Sequence, residues 1–170
     1  AGGFTAYIPE EENSYYSKKG LLDRLAILLG GRAAEEVILT DISSGASNDI
    51  ERATQLARYM ITKFGMSDTL GPINYDSDDD NVFLGDHIGK AKAYSEEVAY
   101  TIDQEVKKMI DEAYNKAKEI VDDNLALLHN LTQELLEKET LNSDEFEEIF
   151  HMYNTSEDPK NIGAENIINY

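Results

Sequence analysis

The chain has 170 residues, with 34 acidic against 15 basic side chains and a net charge of −19. Such a surface repels phosphate backbones and anionic headgroups, and no basic stripe offsets it, so nucleic acid is excluded as an expected partner. A hydrophobic fraction of 41% without a single cysteine fits one globular domain with a proper core, no disulfide framework and no thiolate chemistry.

The start, Ala1-Gly2-Gly3 without an initiator Met, reads as the opening of a fragment, and no signal peptide is recognised there. No apolar run approaches the roughly 18 residues of a membrane span. Phe4, Ala6 and Ile8 alternate with Thr5 and Tyr7, which predicts a short strand stopped by Pro9. After an acidic loop a helix is expected from about Ser17. Its apolar positions from Leu21 to Ile38 cover well over half the circumference, as in a helix buried on several sides. Gly30-Gly31 in its middle costs roughly 1 kcal/mol per residue relative to Ala, and close packing is the expected reason. Glu35 and Glu36 end this helix. Both are solvated there, or one turns inward and needs a cation, a donor or a metal as partner.

Ser44-Gly45-Ala46-Ser47-Asn48-Asp49-Ile50 opens the next helix. Asn48 and Glu51 have the spacing of a capping box. Ile50, Ala53, Leu56, Ala57, Met60, Ile61 and Phe64 repeat with helical period, and Gly65 is placed to end the helix. Asp49 then stands in the first turn, where a negative charge meets the positive end of the dipole. Asp76 to Asn81 has the acidic spacing of a calcium loop. Asn81 stands where Gly is required and His87 where the bidentate Glu belongs, so the segment reads as a solvated loop. One long helix is expected from about Asp86 to Asp122, with a narrow seam of Ile88, Ala91, Val98, Ile102, Val106, Ile110, Ala113, Ala117 and Ile120. Asn124 is expected to cap a shorter helix with Leu125, Leu128, Leu131 and Leu135 inward. Asn142 with Glu145 opens a last one carrying Phe146, Ile149, Phe150 and Tyr153. The expected fold is mainly α: a helical domain over residues 1–153 with a short N-terminal strand and a C-terminal antiparallel bundle. A polar, poorly ordered tail is expected over 154–170.

The strand Gly3 to Glu11, the segment Leu28-Leu29-Gly30-Gly31-Arg32-Ala33-Ala34-Glu35-Glu36 and the stretch Ser44 to Ile50 resemble the peptidase domain of the FtsH family of membrane-anchored, ATP-dependent zinc metalloproteases. So do Phe64-Gly65-Met66-Ser67, Leu70-Gly71-Pro72, Val82-Phe83-Leu84-Gly85 and Ile102-Asp103-Gln104-Glu105-Val106. The resemblance runs over about residues 1–150 in the family's order. It implies that Asp49 is the third zinc ligand of the intact protein and that Glu35 lies near the metal, orienting a ligand His from outside the coordination shell. It implies peptide hydrolysis by a zinc-bound water, a six-fold ring, and ATP with magnesium on a separate ATPase module. The implied substrates are unfolded or membrane proteins, and the implied location is membrane-anchored with the peptidase domain on the cytoplasmic side in bacteria. The strand residues Phe4, Thr5, Ala6 and Tyr7 are positioned to take an extended substrate as an added strand.

The sequence departs from the family's pattern, in which an ATPase module and membrane anchors also stand further upstream. The chain contains no His-Glu-x-x-His, and its only histidines are His87, His129 and His151. The family's two His ligands and general base belong upstream of the strand, so no catalytic residue is expected within this chain. One carboxylate does not hold zinc tightly, and these residues alone are expected to be a soluble, inactive fragment. The alternative is a non-catalytic, acidic helical module for oligomerisation or partner binding.

Overall fold

A computed structural model of the chain describes residues 16–76 and 94–154. The described residues are helical, with no strand among them. They form α1 (Lys18–Ala34) running into a widened π-helical turn (Glu35–Leu39), then α2 (Ser47–Thr62), α3 (Glu96–Asp123), α4 (Leu125–Lys138) and α5 (Ser143–Asn154). The expected strand at residues 3–8, the acidic loop after Asp76 and the tail from 155 onward lie outside the described residues. Among the described residues no helix is long and apolar enough to cross a membrane. The chain divides into two compact units, Ala1–Leu29 with Gly45–Ala113, and Gly30–Ser44 with Tyr114–Tyr170.

The first unit buries Leu21, Leu25, Ala26 and Leu29 of α1, Ala53, Ala57, Met60 and Ile61 of α2, and Ala99, Ile102, Val106, Met109 and Ala113 of α3. Leu25, Met60, Ile61 and Ile102 lose essentially all their surface, worth about 1.5–3 kcal/mol for each large side chain. The expectation of a helix buried on several sides is corrected, since Leu22 and Leu28 are only half-buried and Ile38 is 49% exposed. The buried positions of α1 lie on one stripe. Among the described residues the expected close packing at the glycine pair is not found. A Cβ added at Gly30 or Gly31 meets no atom of the described residues within 4 Å.

The third helix starts later than its periodicity suggests. Tyr94 and Ser95 are not helical, and the Ser95 hydroxyl accepts the Val98 N–H at 3.3 Å. Ser95 followed by Glu96 and Glu97 is a start signal that the continuing apolar period had masked.

Gly65 ends α2, as its position suggests. Its φ is +61°, and Met66 N–H reaches back to the Met60 carbonyl at 2.8 Å. The chain then folds back, and the Thr62 carbonyl accepts the N–H groups of Tyr75 at 2.7 Å and Asp76 at 3.2 Å. Within this turn the buried Ser67 donates to Glu105 at 2.6 Å and accepts the Leu70 N–H at 3.1 Å.

In the second unit α4 and α5 pack on each other. The Asn142–Glu145 box forms in both directions at 3.0 Å. The Asn124 cap does not form. Its side-chain amide donates back to the Ile120 carbonyl at 2.8 Å, closing α3 instead of opening α4. The inward leucine of α4 is Leu127 at 8% exposure, while Leu125 and Leu135 are exposed. Two mutually packed helices cover only a narrow stripe, which selects one phase among many leucines. On α5 Ile149 is buried, and Phe146 and Phe150 stack at 6.0 Å on its exposed side.

A Cβ at Gly65 would lie 2.9 Å from Pro72 Cα, against backbone that cannot give way. Gly65→Ala is predicted to lower the unfolding free energy by about 1–3 kcal/mol. Chemical denaturation measures it, and an unchanged midpoint would contradict the account of this turn.

Candidate functional site

Asp49 stands in the first turn of α2, as its sequence position suggests. The cap beneath it differs from the expected box. The helix begins at Ser47, so Ala46 occupies the cap position, and its carbonyl accepts the Ile50 N–H at 3.0 Å. Ala46 is buried, and its packing sets the helix start ahead of Asn48, whose side chain is exposed. Glu51 accepts from Gln55 at 3.3 Å instead. The Asp49 carboxylate is 49% exposed and lies 3.6 Å from Arg52 Nη1, an i,i+3 pair. A pair this open contributes about 0–1 kcal/mol, so Arg52 does not commit the carboxylate. The dipole of α2 favours the anion, and its free oxygen lone pairs suit a cation.

Glu35 opens the π-helical turn of the second unit. Its carboxylate accepts the Ser43 hydroxyl at 2.5 Å and the Ser43 N–H at 3.2 Å. Arg32 Nη1 lies 4.0 Å away and donates to the Ser43 carbonyl at 3.2 Å. These two bonds from Ser43, with Arg32 behind them, hold the Glu35 carboxyl below its ordinary value of 4.5. Two bonds leave lone pairs on the carboxylate for another donor. Glu36 has partners of its own. The Tyr114 hydroxyl donates to it, and Lys118 Nζ lies 3.5 Å away. The Tyr114 bond comes first in keeping Glu36 below 4.5, and Lys118 adds to it. The Tyr114 phenol is raised above its ordinary 10.0 by burial and then by Glu36. Neither glutamate is an isolated inward charge. Thr40 ends the turn at φ +52°, a left-handed conformation rare for a β-branched residue.

Asp49 and Glu35 belong to different compact units. The strand residues Phe4, Thr5, Ala6 and Tyr7, and His87, lie outside the described residues. His129 is exposed, and His151 lies 3.4 Å from Glu147. Among the described residues no group of three or more His, Asp or Glu side chains is arranged to hold a metal ion. A zinc centre takes three protein ligands with a water in the fourth position. Asp49 fits the part of one oxygen ligand, and the described residues do not complete the set. Sequence reasoning missed Ser43, Arg32, Tyr114 and Lys118. The unmatched pair Glu35-Glu36 at a helix end was the available signal that partners must exist.

The pH dependence follows from these contacts. Glu35 and Glu36 are lowered, so their contribution is present above pH 4.5 and is lost as pH falls through their folded values. Tyr114 is raised, so its contribution is present below pH 10.0 and is lost as pH rises through its folded value. We predict that amide protection over residues 32–43, taken relative to the intrinsic exchange rate at each pH, is greatest between these limits. Glu36→Gln should flatten the acid limb; an unchanged acid limb would refute the assignment.

Peptidase family M41 matches residues 1–149. The ATP-dependent zinc metalloprotease FtsH 1 of Thermoanaerobacter sp. (strain X514) is 49% identical over 151 residues, which are 89% of this chain and 25% of the relative. FtsH of Caldicellulosiruptor bescii is 49% identical over 149 residues, 88% of this chain and 24% of its own. FtsH of Thermotoga maritima is 50% identical over 147 residues, 86% of this chain and 24% of its own. The chain thus spans about a quarter of the length of the curated relatives it matches. A match over nearly the whole chain establishes that this chain belongs to the M41 family of FtsH-type zinc metallopeptidases.

Proposed function

We propose that this chain is the C-terminal part of the peptidase domain of an ATP-driven, membrane-anchored zinc endopeptidase, and that Asp49 is the zinc ligand it contributes. The observation that carries this reading is the half-exposed, uncommitted carboxylate of Asp49 at the positive end of α2, in a chain matched by the family over residues 1–149. Residues 1–153 are the peptidase domain and 154–170 its tail. When bound, zinc supplies a Lewis acid and lowers the pKa of a coordinated water. The Asp49 carboxylate would hold the ion as one oxygen ligand, placed in the first turn of α2 where a negative charge meets the positive end of the dipole. Glu35 is the outer carboxylate. Ser43 fixes its direction, and a remaining lone pair takes an N–H from a ligand imidazole.

The substrates are unfolded or membrane proteins, and residues Phe4 to Tyr7 take an extended segment by strand addition. The working assembly is a hexamer whose ATPase modules bind ATP and magnesium, with the peptidase domain on the cytoplasmic side in bacteria. These 170 residues contain no His-Glu-x-x-His, so by themselves they neither hold catalytic zinc nor cut peptides.

In the intact protease, Asp49→Ala should lower zinc affinity by more than the ~10–100-fold that loss of an outer partner costs. Zinc content and casein hydrolysis read this, and full retention of both would overturn the assignment. Casein cleavage by the 170-residue chain itself, abolished by a chelator, would overturn its inactivity. Thr5→Pro should slow degradation of unfolded substrate in the intact protease, and full activity would remove the strand from the reading.

A further inference from the structure

The turn Glu35–Leu39 buries none of its residues. Ile38 is 49% and Leu39 65% exposed, and of its apolar residues only Val37 is half-buried, so apolar packing contributes little to fixing its rotation. The strained Thr40 follows at once. Polar contacts must therefore hold the turn, and they act on two adjacent carboxylates. Glu35 reaches Ser43. Glu36 is held by the Tyr114 hydroxyl and by Lys118. Lys118 Nζ lies 4.8 Å from the centre of the Tyr114 ring, so the two residues form one clamp joined by a cation–π contact. Adjacent side chains on a helical turn leave it in different directions. A clamp on Glu36 therefore fixes the direction of Glu35 without touching it.

We propose that Tyr114 and Lys118 are positioning residues for Glu35, acting through Glu36 to hold the Glu35–Leu39 turn in the rotation that keeps Glu35 on Ser43. The proposal rests on the reading of Glu35 as the carboxylate beside the metal. All the residues of the clamp and of the turn belong to the second compact unit. The Tyr114 ring carries its hydroxyl and supports Lys118, so Tyr114→Phe keeps the ring and removes the hydroxyl, which serves Glu36 and also meets Arg32.

The test uses the intact protease with Tyr114→Phe, Lys118→Met, the double variant, and Tyr153→Phe as a control. Tyr153 is a hydroxyl-bonded tyrosine of the same unit, accepting from Asn130 at 2.7 Å. Three quantities are measured: amide exchange of peptides covering residues 35–46, kcat and KM for an unfolded substrate, and bound zinc. Tyr114→Phe should speed exchange over 35–46 and lower kcat by about tenfold, the lower end for an outer partner, with KM and bound zinc unchanged. Lys118→Met should act in the same direction, Lys118→Arg should restore slow exchange, and Tyr153→Phe should leave exchange and kcat as they were. Unchanged exchange in the double variant overturns the clamp. Faster exchange with unchanged kcat overturns its positioning role. If Glu35→Gln leaves kcat intact, the reading of Glu35 falls, while exchange over 35–46 still decides whether the clamp exists.

Discussion

Two carboxylates at the C-terminal end of a helix stand against its macrodipole. Each is unfavourable by about 0.3–1 kcal/mol when left alone. Glu35 and Glu36 occupy that position at the end of α1. Much of the polar structure of the second unit answers this constraint. Arg32 lies in the last turn of the same helix, Ser43 gives Glu35 two hydrogen bonds, and Tyr114 and Lys118 serve Glu36. The widening of the helix into a π turn separates the two carboxylates toward different partners. Such widened turns recur at functional sites, where they redirect one side chain without ending the helix.

The first unit answers a different demand. Its helices carry many alanines on their buried stripes, at 53, 57, 99 and 113. Small residues there let backbones approach closely. Asp49 inherits its position from this packing, because the buried Ala46 sets where α2 begins. At the other end of α2, Gly65 and the returning segment through Asp76 fix the helix terminus. Ser67, with its buried hydroxyl bonded to Glu105, ties that segment to α3. The candidate ligand thus stands on a helix anchored at both ends, as a metal-binding carboxylate requires.

Where periodicity alone decides, the sequence is readable. The buried stripe of α2 falls on Ala53, Ala57, Met60 and Ile61, named by their helical spacing, while Ile50 and Phe64 at the two ends of that spacing are exposed; the Asn142–Glu145 box is a local signal that the structure contains. Local signals also compete, and then the reading fails. Asn48 with Glu51 has the right letters, yet packing of Ala46 moves the helix start. Asn124 has the right letter for a cap, and the nearer Ile120 carbonyl takes its amide. The leucine-rich α4 offers several apolar phases, and only the α5 contact selects one. The place of Asp49 was legible because a helix start is written in adjacent residues. The partners of Glu36 were not, because they come from a distant helix and leave no periodic trace.

That distance has a kinetic side. The Tyr114–Glu36 bond joins residues 78 positions apart and the Lys118–Glu36 bond residues 82 apart. The Ser43–Glu35 bonds span only 8. Contacts between distant residues form only after a large loop has closed. The short-range clasp is therefore available early, while the clamp on its neighbour waits for α3 to arrive. The corner that sets Glu35 is completed late in folding, and a chain released before α3 is made would carry the loop without its final orientation.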